Sequence, residues 1–426
     1  MLSLGYRRPI QSLLVTFLAW KTLLLAIAIG NSIGSAYDTS TTLLSSEIAS
    51  SDESTFDLAT KLTRWDSIYF IQASRRGYLY EQEWAFGSGL PAVISFFIQA
   101  LSSVGIQAQG SLEPAVGILV AHASHLLSVL ALYQLGLVVC KDQRLSFVAA
   151  LLHILSPAGL FLSAPYAEST FAFLSFTGYL FLAKGLLGPK QTFAHDVSLV
   201  ASGMWFGFAA TFRSNGLFNG IPFAIALAQE LTTPPTFTSI RRRCALLVGG
   251  LAIAIGFIAP QLSAYQTFCF IQPSRPWCTS GLRSIYSFVQ ERYWNVGFLR
   301  YWTPSNIPLF LLATPMICFL AKSGLECMKL PLKVVAEKSD PADPTHLSLL
   351  IRSMALAQVV LAVLAITNYH IQIITRISSG YPLWYWWLAK ILTDQKNSTF
   401  GNTVVRFMVM YAVIQGALFA SFLPPA

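Results

Sequence analysis

Apolar runs of membrane-spanning character follow one another along the chain, separated by short polar stretches. In order they cover approximately 11–33, 89–106, 114–139, 145–163, 168–187, 198–213, 215–231, 244–265, 307–324, 348–369, 380–392 and 403–423. Each reads as a helix. A span needs about 20 apolar residues to cross a hydrocarbon core about 30 Å thick, and a helix pairs its own backbone N–H and C=O groups where water is absent. Pro and Gly interrupt several runs, which membrane helices tolerate. No polar stretch is long enough for a separate soluble domain, so residues 1–426 are expected to form one all-α, polytopic membrane domain. The first run follows Arg7 and Arg8, is too long for a signal-peptide core, and reads as an uncleaved span. Lys21 inside it must face the bundle or pair with a carboxylate.

Composition agrees with this reading. Hydrophobic residues make up 54% and charged residues 11%, with a mean hydropathy of +0.57, whereas a soluble domain carries about 25% charged residues. The net charge of +9 does not indicate nucleic acid as a partner. Lys and Arg cluster in short loops between apolar runs, as in cytoplasmic loops of membrane proteins, and form no basic stripe interleaved with aromatics.

Those charges select a topology. With the N-terminus in the cytosol and 89–106 not crossing, sixteen basic loop residues lie on the cytosolic side and ten opposite; if 89–106 crosses, the counts become eight and eighteen. The positive-inside rule favours the first arrangement. It implies about eleven transmembrane helices, a re-entrant or interfacial 89–106, and luminal loops at 34–88 and 266–306.

Three polar regions then share the luminal face. Loop 34–88 begins Ser/Thr-rich and ends in Leu62-Thr63-Arg64-Trp65-Asp66-Ser67-Ile68-Tyr69-Phe70. Aromatic neighbours make this stretch lie flat at the interface. Asp66 there can act on a lipid headgroup, cap the helix starting at Ser67, or pair with Arg64. The second region is the break from Ser156-Pro157-Ala158 to Ala164-Pro165-Tyr166-Ala167-Glu168-Ser169. Glu168 opens an apolar helix, where it either complements the helix dipole or serves function. Arg213-Ser214-Asn215-Gly216 joins two spans nearby, and Arg213 can pair with Glu168 or grip a phosphate bidentately. The third region, 266–306, carries Arg275-Pro276-Trp277-Cys278 and Tyr293-Trp294-Asn295-Val296-Gly297-Phe298. Its aromatics suit either a sugar platform or a belt at the bilayer surface. Leu383-Trp384-Tyr385-Trp386-Trp387, shortly after Arg376, reads as another belt. Cys269 and Cys278 share a luminal loop, where oxidation is permitted; a disulfide and two free thiols both remain open. His122, His125, His153, His195, His346 and His370 form no metal-ligand spacing, so no metal site is expected. No phosphate-cradling loop or nucleophile elbow occurs.

Taken together, Leu62–Phe70, Arg76-Gly77-Tyr78, Tyr80-Glu81-Gln82-Glu83-Trp84-Ala85-Phe86, the Ser156–Glu168 break, Arg213–Gly216, Arg275–Cys278 and Tyr293–Phe298 resemble, in the same order, the PIG-V family of GPI mannosyltransferases. The Gln82-Glu83-Trp84-Ala85 form looks fungal. The resemblance covers about residues 60 to 390; Gly87–Pro91 and Ser305–Phe310 depart from the family's pattern. It implies a GT-C-type glycosyltransferase of the endoplasmic reticulum membrane that takes mannose from dolichyl-phosphate-mannose and adds the second, α1,6-linked mannose to the GPI precursor. The donor is β-linked and the product α-linked, so the reaction inverts. One base suffices, and the resemblance assigns that role to Asp66. Arg213 and Arg64 are the implied cations for the leaving phosphate. Trp65, Tyr166 and Trp294 would pack on sugar or dolichol, Glu168 would hold mannose hydroxyls, and Asn215 and Asn295 complete the implied binding set. A small membrane accessory subunit is the expected protein partner; nothing in the residues calls for a divalent ion.

Two other readings compete: a dolichol-dependent glycosyltransferase with another acceptor, and a lipid or solute transporter. Transporters place broken helices at the bilayer midplane and show inverted repeats; here the polar motifs gather at one surface and no repeat is found. The topology makes one simple prediction. The sequon Asn397-Ser398-Thr399 falls on the cytosolic side, so endoglycosidase treatment of the native protein should leave its gel mobility unchanged.

Overall fold

The computed structural model describes residues 8–30, 56–106, 112–188, 192–270, 275–279, 284–331, 344–394 and 398–424. The sequon at Asn397 and the Ser/Thr-rich start of the first loop lie outside them. Among the described residues every regular element is a helix: α1 (Pro9–Gly30), α2 (Phe56–Leu62), α3 (Ser67–Arg76), α4 (Gly89–Ser103), α5 (Leu112–Val139), α6 (Gln143–Ile154), α7 (Glu168–Leu186), α8 (Phe193–Phe212), α9 (Gly220–Leu231), α10 (Phe237–Cys269), α11 (Ile285–Arg292), α12 (Ile307–Lys329), α13 (Pro344–Thr367), α14 (Ile374–Ile377), α15 (Leu383–Thr393) and α16 (Ser398–Ala420), with short 3-10 turns between some of them. Six of these helices are long and apolar enough to cross a membrane: α1, α5, α10, α12, α13 and α16. One apolar core runs through the bundle from Leu13 on α1 to Ala420 on α16.

Several expected spans are broken. The run 145–163 is α6 followed by a 3-10 turn at Gly159–Leu162. Pro157 cannot continue the helix and biases Ser156 away from helical geometry; Gly159 then takes a left-handed φ of 51°, which a side chain would resist. The run 215–231 is a 3-10 turn, Ser214–Asn219, before the twelve-residue α9. These irregular segments sit at one end of the bundle, where protein covers their backbone, as irregular structure near lipid requires. Lys21 is buried on α1, and its Nζ donates to the Leu162 carbonyl (2.8 Å) and to Ser163 Oγ (2.7 Å). It thus pins the broken segment from below and, among the described residues, takes no carboxylate partner.

The aromatic run on α15 is not a surface belt. Trp384, Tyr385 and Trp386 are fully buried and Trp387 nearly so, because α15 packs among α6, α12, α13 and α16. Three of the four polar tips find partners inside: Trp384 Nε1 donates to the Ser378 carbonyl (3.0 Å), Tyr385 OH to Ser156 Oγ (3.3 Å), and Trp387 Nε1 to Glu326 Oε2 (2.7 Å).

Contacts between helix ends define one functional face. Lys61 Nζ donates to the Ile29 carbonyl at the end of α1 (2.8 Å), Arg75 pairs with Glu113 at the start of α5 (3.2 Å), and Ser88 N donates to the Thr211 carbonyl at the end of α8 (2.9 Å). The chain therefore enters both α4 and α5 from the same end. With 15 residues, α4 is about 22 Å long at roughly 1.5 Å per residue, short of the ~30 Å core. At the opposite end the basic triplet is tied down: Arg241 pairs with Asp196, and Arg242 with Glu230 at 2.8 Å.

Helices α8 and α10 approach closely through small residues. A Cβ on Gly207 would stand 2.5 Å from the Ala252 carbonyl oxygen, and one on Gly203 or Gly256 would overlap the facing backbone of Gly249 or Gly207. Close backbone approach is how membrane helices gain packing energy when burial from water contributes nothing. Gly256→Leu should therefore force the pair apart at a cost of about 1–3 kcal/mol or more and lower the thermal unfolding midpoint in detergent. Gly250→Leu, at a position open to its surroundings, should leave that midpoint unchanged.

Candidate active site

The site begins at the joint between α2 and α3. Trp65 takes a left-handed φ of 56°, a conformation that costs a bulky residue about 1–3 kcal/mol. Asp66 follows at the N-terminus of α3, yet its side chain makes no capping hydrogen bond. The turn closes without it: Ser67 N and Ser67 Oγ both reach the Arg64 carbonyl, at 3.2 and 2.6 Å. Asp66 does not pair with Arg64 either, whose guanidinium lies 4.7 Å from the Phe422 ring centroid. Its partner is Arg376, whose Nη2 donates to Asp66 Oδ2 at 2.6 Å. The carboxylate has no other hydrogen-bond partner among the described residues.

Arg376 continues a chain of charges. Its Nε lies 3.3 Å from Glu168 Oε1, an ion pair without hydrogen-bond alignment. The same oxygen accepts from Arg213 Nη1 at 2.6 Å. Two carboxylates and two guanidiniums thus run in the order Asp66, Arg376, Glu168, Arg213. Glu168 is 1% exposed, and its one oxygen serves two guanidiniums, so this buried charge is paired, as burial of a charge requires. The Arg376 guanidinium is also enclosed by the rings of Phe161 and Tyr166, at 5.1 and 5.3 Å from their centroids. Burial pulls its pKa down, but the charges of Asp66 and Glu168 more than offset this and hold it above the ordinary value.

Beside this chain opens a cavity of about 690 Å³. Of the residues singled out in the sequence, Trp65, Asp66, Tyr166, Arg213, Asn215 and Trp294 line it, together with Arg376 and His370. Glu168, Arg64 and Asn295 do not line it. Glu168 lies beneath the guanidiniums and orients them, where the sequence suggested contact with sugar hydroxyls. Asn295 holds a φ of 50° in the loop before Val296, a conformation Asn tolerates better than most. Asn215 Nδ2 donates to Tyr381 OH at 3.3 Å, and Tyr166 OH to the Arg64 carbonyl at 3.0 Å. His370 Nε2 donates to the Trp294 carbonyl at 3.1 Å; burial lowers its pKa, so the imidazole is neutral at neutral pH. No group of three or more His, Cys, Asp or Glu side chains among the described residues is arranged to hold a metal ion.

A small second core frames the mouth. Cys269 and Cys278 form a disulfide, and Trp277 packs with Phe268, Ile285 and Val289. Glu81, 6% exposed, accepts from Trp277 Nε1 (2.8 Å) and Tyr293 OH (2.9 Å), tying the first loop to the third. Trp277 is therefore structural, with 2% of its surface exposed. Phe86 and Trp294 meet edge-to-face at 5.2 Å and both line the cavity.

Sequence reasoning missed Arg376 as the partner of Asp66, since the two stand 310 residues apart. The available signal was a single arginine in the otherwise uncharged stretch before Leu383, an ionisable residue at the membrane boundary. Removing Glu168 should be costly. Glu168→Ala leaves two buried guanidiniums with one carboxylate between them, and breaking a buried pair costs about 3–5 kcal/mol. The unfolding midpoint in detergent should fall well below that of wild type.

Comparison with known proteins places this geometry in a family. The family described as Mannosyltransferase (PIG-V) matches residues 10–426. GPI mannosyltransferase 2 of Chaetomium globosum is 50% identical over 459 residues, covering 99% of this chain and 97% of that protein. The Gibberella zeae protein of the same name is 48% identical, covering 98% of each. GPI alpha-1,6-mannosyltransferase 2 of Cricetulus griseus is 30% identical over 79% of this chain and 74% of its own length. Among solved structures, an oligosaccharyltransferase of Archaeoglobus fulgidus aligns with a TM-score of 0.46 at 12% identity, over 96% of this chain and 55% of that one. With a match along nearly the whole sequence and relatives of about half identity over their full lengths, the chain belongs to the PIG-V mannosyltransferase family.

Proposed function

We propose that this chain transfers mannose from dolichyl-phosphate-mannose to the GPI precursor, forming the α1,6 linkage of the second mannose with inversion, and that its cavity faces the lumen of the endoplasmic reticulum. The names of its relatives support the acceptor and the linkage. The observation that carries the mechanism is the make-up of the cavity wall. Among the described residues Asp66 is the one carboxylate that lines it, and two guanidiniums, Arg213 and Arg376, line it as well.

Single displacement needs one base and a sink for the charge that departs. The acceptor's 6-hydroxyl oxygen attacks the anomeric carbon, its proton passes to Asp66, and the bond from that carbon to the phosphate oxygen breaks. Dolichyl phosphate leaves with one more negative charge than it carried as a diester and needs no proton, so no second carboxylic acid is required. Preorganised cations stabilise such charge best where water is excluded. Arg213 and Arg376 are held for that purpose by Glu168 from below (2.6 and 3.3 Å). Arg376 also fixes one Asp66 oxygen, leaving the other for the acceptor. Tyr166, Trp65 and Trp294 offer the aromatic faces on which a sugar or an isoprenoid packs. Arg64, suggested by the sequence for the phosphate, supports the site from outside the cavity.

The same reading takes the whole chain as a single membrane domain, with α4 lying in the luminal leaflet without crossing; its length and the shared entry of α4 and α5 support this. The family resemblance also supports a small membrane accessory subunit, which co-purification from native membranes would reveal.

The decisive test is transfer by purified protein from dolichyl-phosphate-mannose to a one-mannose GPI acceptor. Asp66→Asn should lower kcat by about 10²–10⁴-fold, the usual contribution of a positioned base, with protein yield preserved. Arg376→Gln should cost about 10²–10³-fold, comparable to losing one oxyanion donor. A stable Asp66→Asn enzyme with wild-type turnover would remove Asp66 from the chemistry.

A further inference from the structure

Two bulky residues in left-handed backbone meet beside Asp66. Trp65 has φ 56° and Phe422 has φ 55°. Their rings pack edge-to-face with centroids 5.1 Å apart, and the Arg64 guanidinium covers the Phe422 ring at 4.7 Å. Phe422 is 1% exposed, yet it lines the cavity wall together with Pro424. The chain reaches this place through a tight turn after α16: Phe422 N donates to the Phe419 carbonyl (3.0 Å) and Leu423 N to the Leu418 carbonyl (2.9 Å). That turn swings the ring back over Trp65. The end of α16 also seats the aromatics around Arg376, since Phe419 meets Phe161 at 5.1 Å and Tyr166 at 5.9 Å.

Neither Trp nor Phe adopts this backbone without cost, and neither has the short polar side chain that eases it for Asn or Asp. Such a conformation persists only where surrounding contacts over-determine it, and it concentrates at functional sites. Here both members of one contact pair hold it, and one of them directly precedes the proposed base.

We propose that Phe422 is a positioning residue for mannosyl transfer. Its ring, clamped under Arg64, braces Trp65 in the left-handed conformation and so sets the direction of the Asp66 carboxylate. The end of the last described helix is thereby part of the machinery that aims the base. This rests on Asp66 acting as the base.

Phe422→Gly separates ring from backbone, because glycine takes the same φ freely. In the purified enzyme this variant should lose about 10–100-fold in kcat, the scale of a misplacement of about 1 Å. Its KM for dolichyl-phosphate-mannose should stay within about twofold of wild type, while its unfolding midpoint should fall, because the packing lost with a buried ring exceeds the strain relieved. Phe422→Tyr, which keeps the ring, should restore most of the turnover. Phe422→Leu keeps apolar volume without a ring and should also lose turnover, and it decides the matter if the glycine variant does not fold. Wild-type kcat in Phe422→Gly or Phe422→Leu, or a loss that Phe422→Tyr shares in full, overturns the proposal. Asp66→Asn measured alongside separates the two ideas: an active Asp66→Asn enzyme sinks the base assignment, whereas an inactive one beside a fully active Phe422→Gly sinks only the role of Phe422.

Discussion

The site depends on one buried carboxylate. Glu168 faces two guanidiniums with a single oxygen, 2.6 Å from Arg213 and 3.3 Å from Arg376. Unpaired charges at this depth would carry a large desolvation cost; in an alternating row each charge is offset by its neighbours. Arg376 passes the constraint on to Asp66 at 2.6 Å. A cavity whose cations are already paired can take a phosphate anion, as proposed for the donor, only if guanidinium edges remain to offer. The planar fork of arginine, with several donors on one group, permits that double duty where lysine would not.

Holding those four side chains in line requires backbone that a continuous helix does not provide. Glu168 begins α7 after the broken Ser156–Ala167 segment, Arg213 ends α8 before a 3-10 turn, and Arg376 sits on the one-turn α14 between 3-10 turns. Each break lies at the same end of the bundle. Irregular backbone near lipid survives only where protein satisfies it, and here the buried Lys21 side chain, the core-facing α15 and the end of α16 supply that cover. The long helices act as a rigid frame, and the chemistry occupies their interrupted ends.

The mouth is organised by a different device. Glu81, held by Trp277 and Tyr293, joins the first luminal loop to the 266–306 loop, which the Cys269–Cys278 disulfide closes, in a small core of their own. Trp294 packs on that unit, whereas Phe86 packs on Phe70 of the main core (5.8 Å) and meets Trp294 across the two, so both rings face the cavity.

The sequence by itself determined the class of the protein, the approximate places of its helices, and the concentration of polar chemistry at one end. Transfer of apolar side chains into a bilayer is a local property, and a run of twenty such residues carries it without reference to the rest of the chain. It also singled out Asp66, Tyr166, Arg213, Asn215 and Trp294, because polar or aromatic residues at helix breaks are conspicuous against an apolar background. Only the tertiary structure decided which charge meets which. Asp66 could cap its helix or bind Arg64 on local grounds, and the choice of Arg376 arises from helices packed together 310 residues apart. The aromatic run Trp384–Trp387 looks the same in sequence whether it faces headgroups or the core, since both surroundings welcome an apolar ring with a polar tip. Phe422 carried no signal at all, being one more apolar residue at the end of an apolar helix, until the fold set its ring against Trp65.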